Sequence, residues 1–291
     1  MIATARPWRS VLYIPGGRER ALEKAKGLPV DAIIFDLEDA VAPDEKPAAR
    51  AVLAETLAGG GYGARAGLVR INGFDTAWGS DDLDVIAEAR PEAILMPKVG
   101  SAAAVEQLAR RLDARPETAN TQIWAMMETP EGILNAAEVA RAPRMGGFVM
   151  GTNDLAKDLG CRFRADRLPL QTSLQTCVLA ARAAGIVCVD GVYNAFKDDE
   201  GLRAECEQGR DLGMDGKTLI HPAQIAIANT VFRPSEADVD LARRQIDAFE
   251  AAVANGEGVA VVDGKIVENL HVDTARATLA KAEAIAALEA A

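Results

Sequence analysis

The sequence predicts a parallel α/β barrel of eight strands followed by a smaller helical appendage. Short apolar runs alternate with helical stretches, and such runs are typical of strands buried on both faces of a parallel sheet. Eight runs occur in this pattern before the composition changes, which favours a (β/α)8 TIM barrel over the alternative of a doubly wound sheet. The length of 291 residues accommodates one barrel of roughly 250 residues with a tail.

The predicted strands follow one another at regular intervals. They are RSVLYIP (9–15), DAIIFDLEDAV (31–41), GLVRING (67–73), AILMPKV (93–99), QIWAMMET (122–129), GFVMGTND (147–154), GIVCVDGVY (185–193) and KTLIHP (217–222). Helices are predicted between them, including residues 18–27, 46–57, 170–184 and 198–213. EGILNAAEVARAPRMG (131–146) is predicted to form one helix, which Pro143 and the Gly146–Gly147 pair end.

The chain changes character near Arg233. An amphipathic helix over 234–256 precedes a two-stranded hairpin over 258–268, which turns at Asp263–Gly264, and a last helix covers 272–290. We therefore predict a barrel over residues 1–232, carrying the ligand site, and a C-terminal helix-hairpin-helix segment over 233–291. Its position outside a completed barrel suits a lid or a subunit contact.

Composition excludes several classes of function. There are 43 acidic and 32 basic residues, a net charge of −11, which argues against binding nucleic acid or an anionic membrane surface. The four cysteines form no CxxC pair, so neither a zinc site nor a disulfide framework is indicated. Because the N-terminus has no apolar signal core and no apolar run is long enough for a membrane helix, we expect a soluble cytoplasmic protein.

Two acidic residues end successive predicted strands. Glu128 lies at the end of the fifth strand and Asp154 at the end of the sixth, so both belong at the carboxyl end of the sheet, where parallel α/β folds bind ligands. Hard cations such as Mg²⁺ take one or two carboxylates and leave their other positions to water and substrate. The alternative is that each acid caps the helix that follows it.

Other charged residues cluster at the same predicted edge. Asp36, Glu38 and Asp39 lie toward the end of the predicted second strand, and burying that much charge requires a partner or a cation. Arg70, near the end of the third strand, is suited either to a ligand carboxylate or to a salt bridge with these acids, and both are compatible. Lys98 suggests Schiff-base chemistry or, more often for such a lysine, a salt bridge.

The motifs in combination resemble one family. They run over nearly the whole chain, and they are RSVLYIPG, DAIIFDLEDAVAPDEK, VRING, MPKV, METPEGILNA, GTNDLAKDLG, AARAAGI, GKTLIHPAQI and the closing hairpin. The sequence resembles the citrate lyase β-subunit-like branch of the HpcH/HpaI aldolase superfamily, which includes malyl-CoA and citramalyl-CoA lyases. The resemblance implies a TIM barrel, a trimeric or hexameric homo-oligomer, and a divalent cation, usually Mg²⁺, with Mn²⁺ as the alternative.

The resemblance also implies roles for individual residues. Glu128 and Asp154 correspond to the metal ligands, and Glu38 and Asp39 to acids around the metal's waters. Arg70 corresponds to the arginine that engages the carboxylate and carbonyl of the bound keto acid. The remaining implied contacts are to coenzyme A, through Tyr13, Arg18 and Lys24. Independently of the resemblance, the backbone N–H groups of Gly151, Thr152 and Asn153 start the predicted helix after the sixth strand and are suited to bind the substrate carboxylate or an oxyanion.

Two positions depart from the family's pattern. Many relatives carry an acid where this chain has Asn153, which removes one negative charge beside the cation. The hairpin of the family usually presents an aspartate to the active site of a neighbouring subunit as an acid/base group, and Glu268 takes that place here, one methylene longer. The implied catalytic residues are therefore Arg70, Asp39 and Glu268, whereas His221 and His271 are expected to be structural.

Four functions are compatible with these residues. The first is a Mg²⁺-dependent acyl-CoA lyase that cleaves malyl-CoA or citramalyl-CoA to acetyl-CoA and a 2-oxo acid. The second is a (3S)-malyl-CoA thioesterase that uses the same pocket and metal. The third is an aldolase for free hydroxy acids, which would not need Arg18 and Lys24. The fourth is a non-catalytic or carrier-dependent subunit like that of citrate lyase, which would not turn over free acyl-CoA.

Overall fold

The computed structural model describes residues 6–290. The chain divides into two compact units. One unit is Trp8–Phe232, and the other is the segment from Arg233 onward together with residues 6–7. Within the described range, no helix combines the length and the apolar character needed to cross a bilayer.

The first unit is a closed barrel of eight parallel strands, as predicted. The ring closes where β8 pairs with β1, and Ser10 lies opposite Lys217. The strands are β1 (Ser10–Pro15), β2 (Ala32–Asp36), β3 (Ala66–Arg70), β4 (Ala93–Met96), β5 (Gln122–Met127), β6 (Met145–Met150), β7 (Val187–Asp190) and β8 (Gly216–Leu219). Because the strands are parallel and each β-to-α loop leaves at the carboxyl end, the residues after every strand meet at one face.

Helices connect the strands and surround the barrel. They are α1 (Glu19–Ala25), α2 (Lys46–Gly59), α3 (Gly79–Glu88), α4 (Ala102–Asp113), α5 (Pro130–Leu134), α6 (Ala136–Val139), α7 (Thr152–Asp158), α8 (Gln171–Ala184), α9 (Asp199–Asp211) and α10 (Ile225–Val231). Short 3₁₀ turns lie at 116–118, 168–170 and 222–224.

The barrel unit has two apolar layers. Alternate strand residues point into the barrel, where Trp8 and Trp124 pack with ring centroids 4.5 Å apart. The other strand residues pack outward against the helices in a larger cluster that includes Phe35 and Phe148. This two-sided burial explains why the strands are continuous apolar runs rather than alternating ones.

The second unit contains a helix, a hairpin and a helix, as the sequence predicts. These elements are α11 (Glu236–Ala254), β9 (Ala260–Val262), β10 (Lys265–Val267) and α12 (Asn269–Ala290). Asp263 and Gly264 both have positive φ, 50° and 74°, which is the geometry of a tight two-residue hairpin turn. Val262 and Val267 are buried in a small apolar cluster of this unit.

Three local predictions were wrong. The single helix predicted after β5 is two short helices, α5 and α6, which meet at Asn135, where φ is −96° and ψ is 8° and the side chain donates to the Gly100 carbonyl (2.7 Å). Gly146 and Gly147 do not end a helix but lie inside β6, where the Gln122 and Trp124 side chains leave no room for a Cβ. The second strand ends at Asp36, whose carboxylate accepts the N–H groups of Glu38 and Ala40 in a turn.

Candidate active site

A cavity of about 330 Å³ opens at the carboxyl end of the barrel. Most of its lining comes from the residues that end the strands or follow them. They are Tyr13, Pro15, Asp36, Asp39, Ala40, Arg70, Met126, Glu128, Met150, Gly151, Thr152, Asn153, Asp154, Val192, Asn194 and Ile220. The tertiary structure therefore brings Asp36, Asp39 and Arg70, at the ends of β2 and β3, to the same cavity as the two acids that come after β5 and β6.

Arg70 organises the acids that follow β2. Its guanidinium forms a two-pronged pair with Asp36, with Nε to Oδ1 at 2.8 Å and Nη2 to Oδ2 at 2.6 Å. Its Nη1 lies 2.9 Å from Glu38 Oε2 and 3.2 Å from Asp39 Oδ2. Asp36 is buried, whereas the Asp39 side chain is 64% exposed toward the cavity. Burial raises the pKa of Glu38 although Arg70 opposes the shift.

Glu128, like Asp36, is a buried carboxylate of the cavity wall, with 2% of its surface exposed. Its Oε1 accepts the backbone N–H of Lys98 at 2.8 Å. Desolvation raises its pKa to about 7, although the hydrogen bond from Lys98 and the charge of Arg70 act against this. Gly151 faces it from the next strand, and a Cβ at Gly151 would stand 2.5 Å from Glu128 Oε2. Glycine is therefore required there for the carboxylate to keep its place.

Asp154 lies in the first turn of α7, half-buried beside the same cavity. The neighbouring Asn153 exchanges two hydrogen bonds with Asn194 across the mouth, at 2.8 and 3.3 Å. Thr152 is buried under the close approach of Gly191, where an added Cβ would lie 2.5 Å from the Thr152 hydroxyl. These contacts tie the loop after β6 to the loop after β7.

Lys98 lies at the edge of the cluster. Its ammonium is 3.7 Å from Glu38 Oε1, and the side chain is 59% exposed. Partial burial lowers its pKa, but Glu38, Glu128 and Asp154 outweigh that effect, so the pKa lies above the ordinary value. A lysine held protonated in this way is a poor Schiff-base nucleophile, and the structure favours the salt-bridge interpretation.

The donor set fits a hard divalent cation. Glu128 and Asp154 offer carboxylate oxygens at one cavity, and a Cβ on Gly151 would fill the space beside the Glu128 oxygens. Among residues 6–290, no three acidic, histidine or cysteine side chains form a complete metal cage. Two carboxylates with the remaining positions left to water and substrate are an arrangement that Mg²⁺ adopts.

The residues expected to contact coenzyme A are divided between the cavity and the surface. Tyr13 lines the cavity and donates from its hydroxyl to Met126 Sδ at 3.4 Å, with the Arg70 guanidinium 5.0 Å from its ring centre. Burial raises the pKa of its phenol. Arg18 and Lys24 are exposed at the start and the last turn of α1, outside the cavity lining.

Three further residues have local roles. His221 accepts the N–H of Ala223 through Nδ1 and stacks on Phe196, which fixes the turn after β8. His271 accepts the N–H of Glu268 at the start of α12. The Glu268 side chain is exposed in the C-terminal unit.

Sequence reasoning missed several lining residues. Asn194 follows β7, Ile220 follows β8, and Met126 points into the barrel from β5. Asn194 directly follows the predicted seventh strand and Ile220 lies near the end of the predicted eighth strand, so their position was the signal that pointed to them. No sequence pattern indicated that the Lys98 main chain donates to Glu128, because the contact depends on how two loops pack.

Comparison with known proteins agrees with the predicted family. Residues 9–222 match the HpcH/HpaI aldolase/citrate lyase family. The chain is 65% identical to a (3S)-malyl-CoA thioesterase of Cereibacter sphaeroides, over 100% of both chains. It is 37% identical to an L-malyl-CoA/beta-methylmalyl-CoA lyase of the same species, over 97% of each chain.

A solved structure extends the comparison to the fold. The CitE protein from Mycobacterium tuberculosis, in complex with magnesium, acetoacetate and coenzyme A, is 32% identical, with a TM-score of 0.78 over 96% of this chain and 99% of that chain. The family match, the identities to these relatives and the closed barrel lead to one conclusion. This chain is an enzyme of the HpcH/HpaI aldolase/citrate lyase family.

Proposed function

We propose that this enzyme is a (3S)-malyl-CoA thioesterase, which hydrolyses its substrate to malate and free coenzyme A. The observation that carries the proposal is the 65% identity to (3S)-malyl-CoA thioesterase over the full chain, against 37% to the malyl-CoA lyase. The lyase activity that the sequence first suggested is therefore the second candidate. Both reactions need a CoA thioester and a place for the carboxylate of a small acid, which the cavity can provide.

Mg²⁺ is the cation that the site would hold, with Glu128 and Asp154 as its protein ligands. When bound, it would polarise a substrate oxygen and favour the attack on the thioester. Glu38 and Asp39 would accept hydrogen bonds from its waters. The crystallised relative that contains magnesium supports this choice of ion.

The chain's own residues supply the proton chemistry. In hydrolysis, water adds to the thioester carbonyl, the C–S bond breaks, and the sulfur leaves as the thiol of coenzyme A. Asp39 is exposed to the cavity and held by Arg70, so it is suited to accept the proton of the attacking water. Arg70 keeps the acids in place and presents positive charge to the anionic substrate.

The substrate has two further contact regions. The backbone N–H groups of Gly151, Thr152 and Asn153 are proposed to face the substrate carboxylate or the developing oxyanion, since all three residues line the cavity. Tyr13 is proposed to contact the acyl end of coenzyme A. Arg18 and Lys24 are exposed and cationic, which suits the phosphates of the cofactor portion.

The C-terminal unit is proposed to act as a lid and a subunit contact in a homo-oligomer. Glu268 would act as an acid/base group in the active site of a neighbouring subunit.

A mixing experiment tests the action of Glu268 between subunits: Glu268→Gln and Glu128→Gln subunits, each inactive alone, are dissociated and reassembled together. Recovered activity supports action between subunits, whereas no recovery in a mixed oligomer contradicts it.

The reaction itself is tested with purified protein, Mg²⁺ and (3S)-malyl-CoA, with thiol and glyoxylate followed separately. Free thiol and malate without glyoxylate are the expected products. Glyoxylate with acetyl-CoA, and no thiol, would instead establish the lyase. If neither set of products forms, this chain does not act on malyl-CoA and the proposal is wrong.

A further inference from the structure

Lys98 has an unusual backbone for its residue type. It follows Pro97 at the end of β4 and has a φ of 49°, in the left-handed region that glycine adopts freely and other residues rarely do. In this conformation its N–H points at Glu128 and donates to Oε1 at 2.8 Å. Strained backbone of this kind persists only when surrounding contacts hold it, and it is concentrated at functional sites.

The contacts that hold the turn come from the helix after Glu128. The Asn135 side chain donates to the Gly100 carbonyl at 2.7 Å. Gly132 packs against the Val99 carbonyl so closely that any Cβ there would collide with it. The loop after β4 is thus docked on α5.

Glu128 is in turn held from two sides. The Lys98 N–H occupies Oε1, and Gly151 lies against Oε2 at the cavity wall. If the turn at Lys98 relaxed, a buried carboxylate oxygen would lose its hydrogen-bond donor, and the side chain would be free to rotate into other conformers.

We propose that Lys98 is a positioning residue whose left-handed main chain fixes the Glu128 carboxylate in the orientation that binds the cation. The inference rests on the proposed function, because it takes Glu128 as a metal ligand. Lys98 acts on Glu128 through its backbone N–H, so this effect depends on how well residue 98 tolerates positive φ. The ammonium, with its mostly exposed ion pair to Glu38, is a separate and weaker contributor.

The test compares four variants that all lack the ammonium: Lys98→Gly, Lys98→Asn, Lys98→Ala and Lys98→Val. Mn²⁺ affinity is measured by electron paramagnetic resonance of the free ion, without any CoA substrate. Gly and Asn tolerate positive φ, whereas Ala and Val are disfavoured there. We expect Mn²⁺ binding by the Ala and Val variants to be about fivefold to thirtyfold weaker than by the Gly variant, with Asn close to Gly. Equal affinities across the four folded variants would overturn the proposal.

Arg90 provides a matched control. It has a φ of 51° immediately before Pro91, at the amino end of the same strand, and is absent from the cavity lining. Arg90→Gly and Arg90→Val should differ in thermal stability but bind Mn²⁺ equally. If Arg90→Val weakens binding as much as Lys98→Val, the effect is one of global stability, and the positioning role is wrong.

Glu128→Gln separates this inference from the proposed function. Loss of Mn²⁺ binding in that variant, with a graded Lys98 series, supports both. Loss of binding with a flat Lys98 series refutes only the role of Lys98. Undiminished Mn²⁺ binding by Glu128→Gln would show that the proposed metal site itself is wrong.

Discussion

Two clusters of charged side chains in the barrel unit differ in what surrounds them. The mouth cluster lies at the cavity. Asp36, Asp39, Arg70, Glu128 and Asp154 line the cavity, and the cluster also includes Glu38, which pairs with Arg70, and Lys98, which pairs with Glu38. The outer network lies between β7, β8 and α9, and its members are Arg167, Asp190, Glu205 and Lys217. The mouth cluster has five acids and two bases, whereas the outer network has two of each.

The outer network shows a buried cluster in which charges are matched. Lys217 is fully buried, and its Nζ lies 2.6 Å from Glu205 Oε1 and 3.2 Å from Asp190 Oδ2. Arg167 Nη1 donates to both oxygens of Asp190 at 2.8 Å. Burial alone would raise the pKa of Asp190, but Lys217 and Arg167 outweigh it, so its pKa lies below the ordinary value.

The mouth cluster behaves in the opposite way, since burial raises the pKa of both Glu38 and Glu128. Buried charge alone therefore does not distinguish a functional site from a structural one. The distinguishing feature is a surplus of one sign next to a cavity, which a ligand of the opposite sign can neutralise. The contrast leads to five predictions: one on catalysis, three on stability and one on substrate affinity.

Glu128→Gln should have the largest effect, because it removes a carboxylate that the proposed reaction requires. We expect thioester hydrolysis to fall by about 10³-fold, measured as thiol release from (3S)-malyl-CoA. Glu106→Gln, on the surface of α4, should retain full activity.

The same Glu128 variant should also be more stable than the wild type without metal. The folded pKa of about 7 exceeds the ordinary 4.5, so ionisation of Glu128 costs stability, and the cost is complete above pH 7. We expect the free energy of unfolding at pH 8 to rise by about 2 kcal/mol. A less stable variant would show that Glu128 contributes to stability instead.

Asp190→Asn should lower the stability of the folded protein, in contrast to Glu128→Gln. It leaves Arg167 without its buried carboxylate, whereas Glu205 still pairs with Lys217, so we expect a loss of about 3 kcal/mol, at the lower end for a broken buried pair. Urea unfolding at pH 7 measures it. Glu250→Gln, which removes an exposed pair with Arg276, should cost less than about 1 kcal/mol.

Acid should weaken the outer network in the wild-type protein. Because the folded pKa of Asp190 lies below its ordinary 3.8, its stabilisation is present above that value and is lost as the pH falls through the lowered pKa. We expect the stability difference between wild type and Asp190→Asn to shrink from pH 5 to pH 3. A constant difference over that range would contradict the assignment.

Replacing Arg18 and Lys24 together with alanine should have the smallest effect. Both side chains are exposed, so each contact to a cofactor phosphate contributes modestly, and we expect KM for malyl-CoA to rise about tenfold with kcat little changed. A malyl thioester of pantetheine, which lacks the nucleotide phosphates, should show no such rise. Arg20→Ala, on the same helix, is the control.

The sequence by itself determined the barrel, the hairpin and the positions of the acids. Strands buried on both faces must be apolar along their length, and the eight runs of this kind are visible without any tertiary information. Residues that end a parallel strand or closely follow it must lie at its carboxyl end, so Glu128, Asp154 and Arg70 could be predicted to share one face.

Only the tertiary structure decided how those residues touch. The pairing of Arg70 with three acids, the Lys98 N–H on Glu128 and the outer network all depend on side-chain packing between elements distant in sequence. The local sequence pattern also could not distinguish a glycine that ends a helix from a glycine required by close packing. Gly146 and Gly147 are of the second kind, because a Cβ at either position would collide with the Trp124 side chain. The physical reason is that periodicity reports which side of an element is buried, whereas contact distances depend on what is packed against it.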